Sequence, residues 1–260
     1  MIAESIPLRF AGARRSARLR ELTGRDEFAV LGVNTANAIN LLSSLLENAS
    51  PGETEQLQVV DLVAADRDRL LAAVYEGAFG DRIESTLTCV RCAQPFDLYF
   101  SLHRLIEAVN ERTTDGEWKP LGDGRFENSS GACFRLPTGR DELALDGSEA
   151  SEVESLLVER CAKDSNWPEG RTAFEELLEQ VAPLLDLELI APCAECSHVH
   201  TIQFDIQTYV LGAIMAERLR LLAEINRIAK AYSWSLDEIL SLRRSDRRHI
   251  VELIENEHAT

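Results

Sequence analysis

Two Cys-x-x-Cys pairs are the residues in this sequence best suited to chemistry. The first pair is Cys89 and Cys92, within TCVRC, and the second is Cys193 and Cys196, within PCAEC. A pair at this spacing supplies two thiolates on one tight turn, which is half of the tetrahedral shell that zinc prefers. Because two thiolates leave an ion open to water, a closed structural site needs both pairs.

About a hundred residues separate the two pairs, whereas the pairs of a zinc ribbon are usually about 15 to 20 residues apart. Three alternatives to one shared zinc therefore stay open. The pairs could be redox centres, although both run into predicted strands and a thioredoxin-type pair needs a helix N-terminus. They could form two separate metal sites with His103, His198 or His200 as further ligands, or they could bind no metal. Cys133 and Cys161 have no partner at ligand spacing and are predicted to pack as small apolar residues.

A divergent internal repeat gives the distant pairs a way to meet. The segment LRELTGRDE (residues 19–27) returns as FRLPTGRDE (residues 134–142), with Thr-Gly-Arg-Asp-Glu identical. In each copy two predicted amphipathic helices follow, and then a cysteine pair and a strand of alternating apolar residues. We interpret this order as a duplication. If the two units pack about an approximate two-fold axis, their cysteine pairs face each other and bind one structural zinc ion.

The sequence thus predicts an α+β fold of two divergent repeats, each with helices, short strands and a cysteine knuckle, related by a pseudo-two-fold. The predicted divisions are a first unit with a basic N-terminal arm (1–115), a second unit (116–206) and a C-terminal helical tail (207–260). In the tail, Ser235 and Glu238 predict a capping box for a short helix through Leu242, and a last helix is predicted after Ser245.

The charge distribution limits the kinds of partner. The net charge is −17, from 27 basic and 44 acidic residues. Residues 1–25 have a net charge of +4 and residues 217–260 a net charge of zero, so residues 26–216 have a net charge of −21. Such a field repels phosphate backbones, so nucleic-acid binding is not expected. No apolar run is long enough for a membrane span, and the first residues lack the apolar block of a secretory signal. We therefore expect a cytoplasmic protein.

No motif of a known catalytic class is evident. The sequence has no G-x-S-x-G, no H-E-x-x-H and no Walker-type phosphate loop. A zinc ion with four thiolate ligands has no open position for water or substrate, which makes such a site structural. We therefore predict that the chain is not an enzyme and has no small-molecule substrate.

Taken together, these segments resemble the T-even-phage-type baseplate protein family, which is encoded with contractile phage tails and related bacterial contractile injection systems. The similarity runs from about residue 19 to residue 254 and includes both TGRDE segments and the tail EINRIAKAYSWSLDEILSLRRSDRRHIVEL. The resemblance implies a non-enzymatic hub subunit or hub assembly chaperone, with hub or spike proteins as partners. The sequence leaves open whether it stays in the assembled particle or leaves after assembly. Members with this tail often have a histidine-rich stretch before the tryptophan, and here NRIAKAYSW lacks it.

One segment of the tail is the candidate partner-binding face. Its predicted apolar anchors are Trp234, Ile239 and Leu240, and its predicted basic rim is Arg243, Arg244, Arg247 and Arg248. The structural alternative is that the tryptophan closes the tail against the body and that the arginines form a solvated face. Two other functions stay open, namely a free-standing zinc-ribbon adaptor for protein interactions in the cytosol and a thiol oxidoreductase.

Overall fold

The computed structural model describes residues 5–11, 16–47, 57–111, 118–122, 124–128, 131–162 and 170–258. Within these ranges the chain has an α+β fold that combines helices with four small antiparallel sheets. None of the described helices is both long enough and apolar enough to cross a membrane.

The secondary structure alternates helices with short strands. The helices are α1 (Gly24–Ala29), α2 (Thr35–Leu45), α3 (Ala64–Phe79), α4 (Leu102–Glu111), α5 (Gly139–Leu145), α6 (Ala150–Cys161), α7 (Gly170–Val181), α8 (Ile206–Ala216), α9 (Arg218–Tyr232), α10 (Leu236–Ser241) and α11 (Arg244–His258). The strands are β1 (Ile6–Pro7), β2 (Ser16–Ala17), β3 (Arg82–Thr88), β4 (Pro95–Ser101), β5 (Trp118–Gly122), β6 (Arg125–Asn128), β7 (Cys133–Arg135), β8 (Asp186–Pro192) and β9 (Val199–Asp205). The sheets pair β1 with β2, β3 with β4, β5 with β6 and β7, and β8 with β9.

The main core lies between α2, α3 and α8. The apolar stripes predicted from helical spacing are buried there, including Leu42 and Leu45 of α2 and Leu70 and Leu71 of α3. Helix α8 adds four buried residues, Ile206, Val210, Leu211 and Ile214. Residues 207–216, which the sequence pattern groups with the tail, thus pack into the body.

A second, smaller core is formed by β6, β7, α6 and α7. Phe126 stacks on Phe134 at 5.4 Å between ring centroids, and Phe134 meets Phe174 edge-on at 6.1 Å. Cys161 is buried in this cluster, as predicted for a thiol that packs like a small apolar side chain. The short strands predicted within residues 113–131 are β5 and β6, and residues 113–117, 123 and 129–130 of that region lie outside the described part.

The tail has its own small core. Ile228 of α9, Ile239 of α10 and Val251 and Ile254 of α11 pack together. The predicted capping box is present, because the Ser235 N–H donates to Glu238 Oε2 at 2.8 Å and the Glu238 N–H donates to Ser235 Oγ at 3.3 Å. The last helix begins at Arg244 and not after Ser245.

Both Thr-Gly-Arg-Asp-Glu segments start short helices through the same contacts. We call residues 23–27 the first segment and residues 138–142 the second segment. The Thr23 N–H donates to Asp26 Oδ2 at 2.8 Å, and the Thr138 N–H donates to Asp141 Oδ2 at 2.9 Å. An arginine three residues before each threonine, Arg20 or Arg135, donates both terminal nitrogens to the same aspartate.

Candidate metal centre

Two β-hairpins carry the cysteine pairs at their tips. β3 pairs with β4 over seven residues, and β8 pairs with β9 over seven residues. Alternation puts one apolar face of each hairpin toward the other, with Phe100 and Phe204 edge-on at 5.2 Å. The predicted alternation ends sooner than expected, because Leu102 and Ile206 are the first residues of α4 and α8.

The two turns have the same backbone geometry. The Cys89 N–H donates to Gln94 O at 2.9 Å, and the Cys193 N–H donates to His198 O at 2.8 Å. Each turn returns through a residue in the left-handed region, Ala93 at φ 57° and Ser197 at φ 56°, where glycine would be the least strained residue. This tight return turns both cysteines of a pair toward the same point.

The four sulfur atoms form one compact group. Cys89 Sγ lies 3.6 Å from Cys196 Sγ, and Cys92 Sγ lies 3.8 Å from Cys193 Sγ. All four sulfurs lie within 4.8 Å of one another. A tetrahedral zinc ion with Zn–S bonds of about 2.3 Å requires sulfur–sulfur separations of about 3.8 Å. The four cysteines therefore fit a four-coordinate metal ion, and an ion with four thiolate ligands has a structural rather than a hydrolytic role.

The thiols differ in how readily they ionise. Burial disfavours the Cys89 thiolate, but the N–H groups of Cys92 and Arg91 and the His200 ring together lower the pKa of Cys89 to about 5. At Cys92 the Gln94 N–H favours the thiolate, yet burial and the neighbouring thiols raise the pKa of Cys92 to about 12. Crowded sulfurs thus resist ionising together unless a cation compensates their charge.

The nearby histidines lie beside the cluster. His200 Nε2 is 3.3 Å from Cys89 Sγ, and its ring packs on Phe96 at 4.9 Å. His198 lies edge-on to His200, and both histidines are half-buried. His103 contacts Glu107 within α4, so it belongs to a different region of the surface. Among the described residues, the group at ligand distance consists of the four cysteines.

The cysteine pairs lack the arrangement of a thioredoxin-type redox centre. Each pair lies in a hairpin turn between two strands, and among the described residues no helix begins at either pair. A helix dipole is the usual means by which such a centre lowers its thiol pKa. At Cys89 hydrogen bonds from the turn and from His200 have that effect.

The predicted partner-binding face needs a correction. Ile239, Leu240, Arg244 and Arg247 are buried and close the tail against the body, so a partner cannot contact them on this surface. Trp234 and Arg243 are exposed, and Arg248 is half-buried. The physical reason is that the tail folds back over α1, where its arginines meet carboxylates.

The buried arginines form an ion-pair network that the sequence pattern did not predict. Arg247 Nη2 lies 2.7 Å from Glu27 Oε1, and Arg247 Nε lies 2.7 Å from Glu224 Oε2. Arg244 Nη1 lies 2.6 Å from Glu27 Oε2. One signal could have found it, because positions 244, 247, 251 and 254 follow helical spacing and Val251 and Ile254 are apolar.

The fold and the cysteine group together define an α+β protein with a candidate structural metal centre. A sequence model of the family described as T4 bacteriophage base plate protein matches residues 10–165. This match spans more than half of the chain, and the chain belongs to that family, as its motifs predict. The second cysteine pair and the tail lie beyond the matched residues. Searches of curated proteins and of solved structures gave no match.

Proposed function

We propose that the chain is a non-enzymatic component of the baseplate hub of a contractile tail-like machine, acting as a hub subunit or as a chaperone of hub assembly. Family membership supports a structural or assembly role in a baseplate. The candidate metal centre agrees with that role, because four thiolate ligands leave no coordination site for a substrate. The protein would be made in the bacterial cytoplasm and would join the particle there.

We further propose that one zinc ion bound by Cys89, Cys92, Cys193 and Cys196 fastens the two hairpins together. The observation that carries this proposal is the sulfur geometry, with 3.6 Å and 3.8 Å across the two hairpins. Each close contact joins one cysteine of the first pair to one of the second. The ion would therefore link segments about a hundred residues apart, and its binding free energy would contribute to folding.

The duplication and pseudo-two-fold belong to the same proposal. Across the hairpin pair, Cys89 contacts Cys196 while Cys92 contacts Cys193, which is the reciprocal pattern that a two-fold axis creates. Phe100 contacts Phe204, the residue at the same position of the second hairpin. These contacts support a local two-fold relation between the hairpins.

Metal analysis tests the zinc proposal. The purified chain is expected to contain one zinc ion per chain, and Cys193→Ser is expected to lose it together with about 3 kcal/mol or more of the free energy of unfolding. Cys133→Ser is the matched control, because Cys133 lies outside the cysteine group and should keep the ion. A chain that takes up no zinc, or a Cys193→Ser variant that keeps it, would contradict the proposal.

The remaining exposed part of the predicted face is the proposed contact for a hub or spike protein. Trp234 packs against Tyr232 at 5.4 Å between ring centroids, and both rings are partly exposed, as is Leu236 two residues further along the chain. Exposed aromatic residues of this kind are frequent energetic centres of protein interfaces. Arg243 lies in the connection between α10 and α11 and adds an exposed positive charge.

Binding to co-encoded baseplate proteins tests this surface. Trp234→Ala is expected to weaken binding to a hub or spike protein at least tenfold, which corresponds to about 1.4 kcal/mol. Leu31→Ala is the control, since Leu31 is exposed elsewhere on the surface. Failure of the zinc-loaded chain to bind any baseplate component at micromolar concentration would overturn the hub assignment. Selective binding to other cytosolic proteins would then favour a zinc-ribbon adaptor.

A further inference from the structure

The first segment is occupied by the chain's own tail. The Gly24 N–H donates to Leu242 O at 3.2 Å, and Thr23 forms an isolated antiparallel bridge with Arg243. Glu27 then pairs with Arg247, on the first turn of α11. A backbone contact, a bridge and an ion pair thus hold the connection between α10 and α11.

The second segment holds a different part of the chain in the same way. The Gly139 N–H donates to Leu62 O at 3.1 Å, and Thr138 forms an isolated antiparallel bridge with Val63. Glu142 then pairs with Arg67, on the first turn of α3, at 2.7 Å. The contacts have the same order, type and position within the segment as those of the first segment.

The two bound pieces also share a sequence. Residues 62–67 read LVAADR and residues 242–247 read LRRSDR, so each has leucine five residues before arginine and an aspartate directly before that arginine. Each piece follows a short helical turn and enters a longer helix. We call these two pieces docking elements. The second segment binds the element of the first unit, and the first segment binds an element in the tail.

Glycine makes room for the arginine in both segments. A Cβ atom on Gly24 would lie 3.0 Å from Arg247 Nη1, and one on Gly139 would lie 2.9 Å from Arg67 Nη1. Both distances are shorter than ordinary van der Waals contact, so the guanidinium reaches the glutamate only past a residue without a side chain. The identical glycine therefore belongs to the binding geometry.

From these contacts we infer that the Thr-Gly-Arg-Asp-Glu segment is a peptide-docking module. Its ligand is a helix entry of the form Leu-x-x-x-Asp-Arg, and the tail is the ligand of the first module. The threonine and glycine bind the backbone beside the leucine, and the glutamate selects the arginine. The inference rests on contacts within the chain and is independent of the baseplate role and of the metal.

Binding of the tail in trans tests the inference. The full chain with both Arg244→Glu and Arg247→Glu lacks the two tail arginines that pair with Glu27, which should release its tail from the first module, and a labelled peptide of residues 234–258 is the probe. Saturable binding is expected, and Arg247→Glu in the peptide or Gly24→Ala in the chain should weaken it at least tenfold. Gly77→Ala is the matched control, because a Cβ there meets nothing within 4 Å. No binding to a folded chain, or binding that ignores both changes, would overturn the inference.

Hydrogen exchange gives a second measurement that does not depend on the disabled chain. In the full chain with Glu27→Gln, exchange of α10 and α11 is expected to accelerate at least tenfold, while exchange of the two hairpins stays unchanged. The parallel variant Glu142→Gln should accelerate exchange around residues 62–67 and leave the tail unchanged. Equal acceleration throughout the chain, or none in either region, would contradict separate docking modules.

Discussion

The first and second segments have the same five residues and the same caps, but they differ in the burial of their glutamates. The Glu27 side chain is 2% exposed and bonds two buried arginines, whereas the Glu142 side chain is 28% exposed and bonds one arginine, Arg67, and the Thr35 hydroxyl. Glu224 adds a second carboxylate to the first site. The comparison shows that the same motif can form a buried charge network or a partly hydrated ion pair, depending on what covers it.

Burial decides how costly each site is to disturb. Removing one partner from a buried pair leaves a charge without solvent or counter-ion and costs about 3 to 5 kcal/mol. Exposed pairs contribute about 0 to 1 kcal/mol, because water replaces the lost partner. The first segment should therefore be the more sensitive of the two.

The largest expected loss of stability follows truncation of the buried Arg247. Arg247→Met removes the arginine that Glu27 and Glu224 share, although Glu27 keeps Arg244 and Glu224 keeps Arg220. The free energy of unfolding should therefore fall by about 3 kcal/mol, the lower end of the range for a broken buried pair. Arg67→Met should cost less, about 1 to 2 kcal/mol, because water reaches Glu142. Urea unfolding measures both, and Arg227→Met is the control, since Arg227 pairs with Glu255 on the surface. Equal losses of unfolding free energy for Arg247→Met and Arg67→Met would show that burial does not make the first segment more sensitive than the second.

Neither segment should tolerate a side chain in place of its glycine. A Cβ at Gly24 would lie 3.2 Å from Leu240 Cα, and one at Gly139 would lie 3.1 Å from Val60 O, so backbone must move in each case. Alanine at either position is expected to cost about 1 to 3 kcal/mol. Gly77→Ala in α3 should instead be neutral or stabilising by up to about 1 kcal/mol. Thermal unfolding of the three variants checks this, and a harmless Gly139→Ala would show that only the first segment packs tightly.

The docking elements differ at the residue after the arginine, which is Asp68 in one and Arg248 in the other. Burial raises the pKa of Asp68 to about 7, although the carboxylate accepts a hydrogen bond from the Leu185 N–H at 2.9 Å. A pKa raised on folding means that stability is fully present below the unfolded pKa and is lost as pH rises through about 7.

Asp68→Asn therefore tests the second element through pH. The parent should lose stability relative to the variant from about pH 4 to pH 7, because the variant's side chain stays neutral. Between pH 6 and 8.5 the gap should therefore widen by about 1.4 kcal/mol, which corresponds to the one pH unit between 6 and the folded pKa. Urea unfolding across this range measures the difference. An unchanged gap between the two proteins from pH 6 to 8.5 would contradict the raised pKa.

The smallest expected effect concerns the shared caps and has the opposite sign. Burial alone would raise the pKa of Asp26, but hydrogen bonds from Arg20 and Thr23 lower it to about 2. The Arg135 guanidinium likewise lowers the pKa of Asp141. A pKa lowered on folding means that stability is present above the unfolded value and is lost as pH falls toward the folded one.

Acid unfolding measures this contribution. Between about pH 4 and 2 the parent should lose about 1 kcal/mol through each cap, after allowance for the partly exposed arginines. Asp26→Asn and Asp141→Asn should each reduce this acid-induced loss of stability by a similar amount, because the two caps have the same contacts. A difference between the two variants would show that the caps, too, depend on what surrounds them.

Much of the fold could be predicted from sequence because its periodicities are strong. The stripes of α2 and α3, the alternating strands and the Ser235–Glu238 capping box reflect local rules. The cysteine group could be predicted because zinc chemistry limits what two such pairs can do. The arrangement of the four sulfurs around one point depends on tertiary packing. In the sequence, the repeated motif indicated that the two cysteine pairs could meet.

The buried tail could not be predicted in the same way. Arginines near an exposed tryptophan are usually solvated, and their burial here depends on the surrounding carboxylates Glu27, Glu217 and Glu224. Likewise, the first turns of α4 and α8 continue the alternating pattern of the strands, so the period alone cannot show where the chain turns into a helix. These features depend on contacts between residues distant in the chain.

The ion pair between Glu27 and Arg247 spans 220 residues of sequence. On a ribosome that adds about 5 to 20 residues per second, the glutamate is made roughly 10 to 45 s before its arginine. During that interval the Glu27 carboxylate of α1 has no Arg247 to pair with. Arg67, in contrast, is synthesised before Glu142, so the second segment can form its ion pair at once. Translation thus fixes the order in which the two segments bind their docking elements. The first segment is synthesised earlier than the second but binds its docking element later.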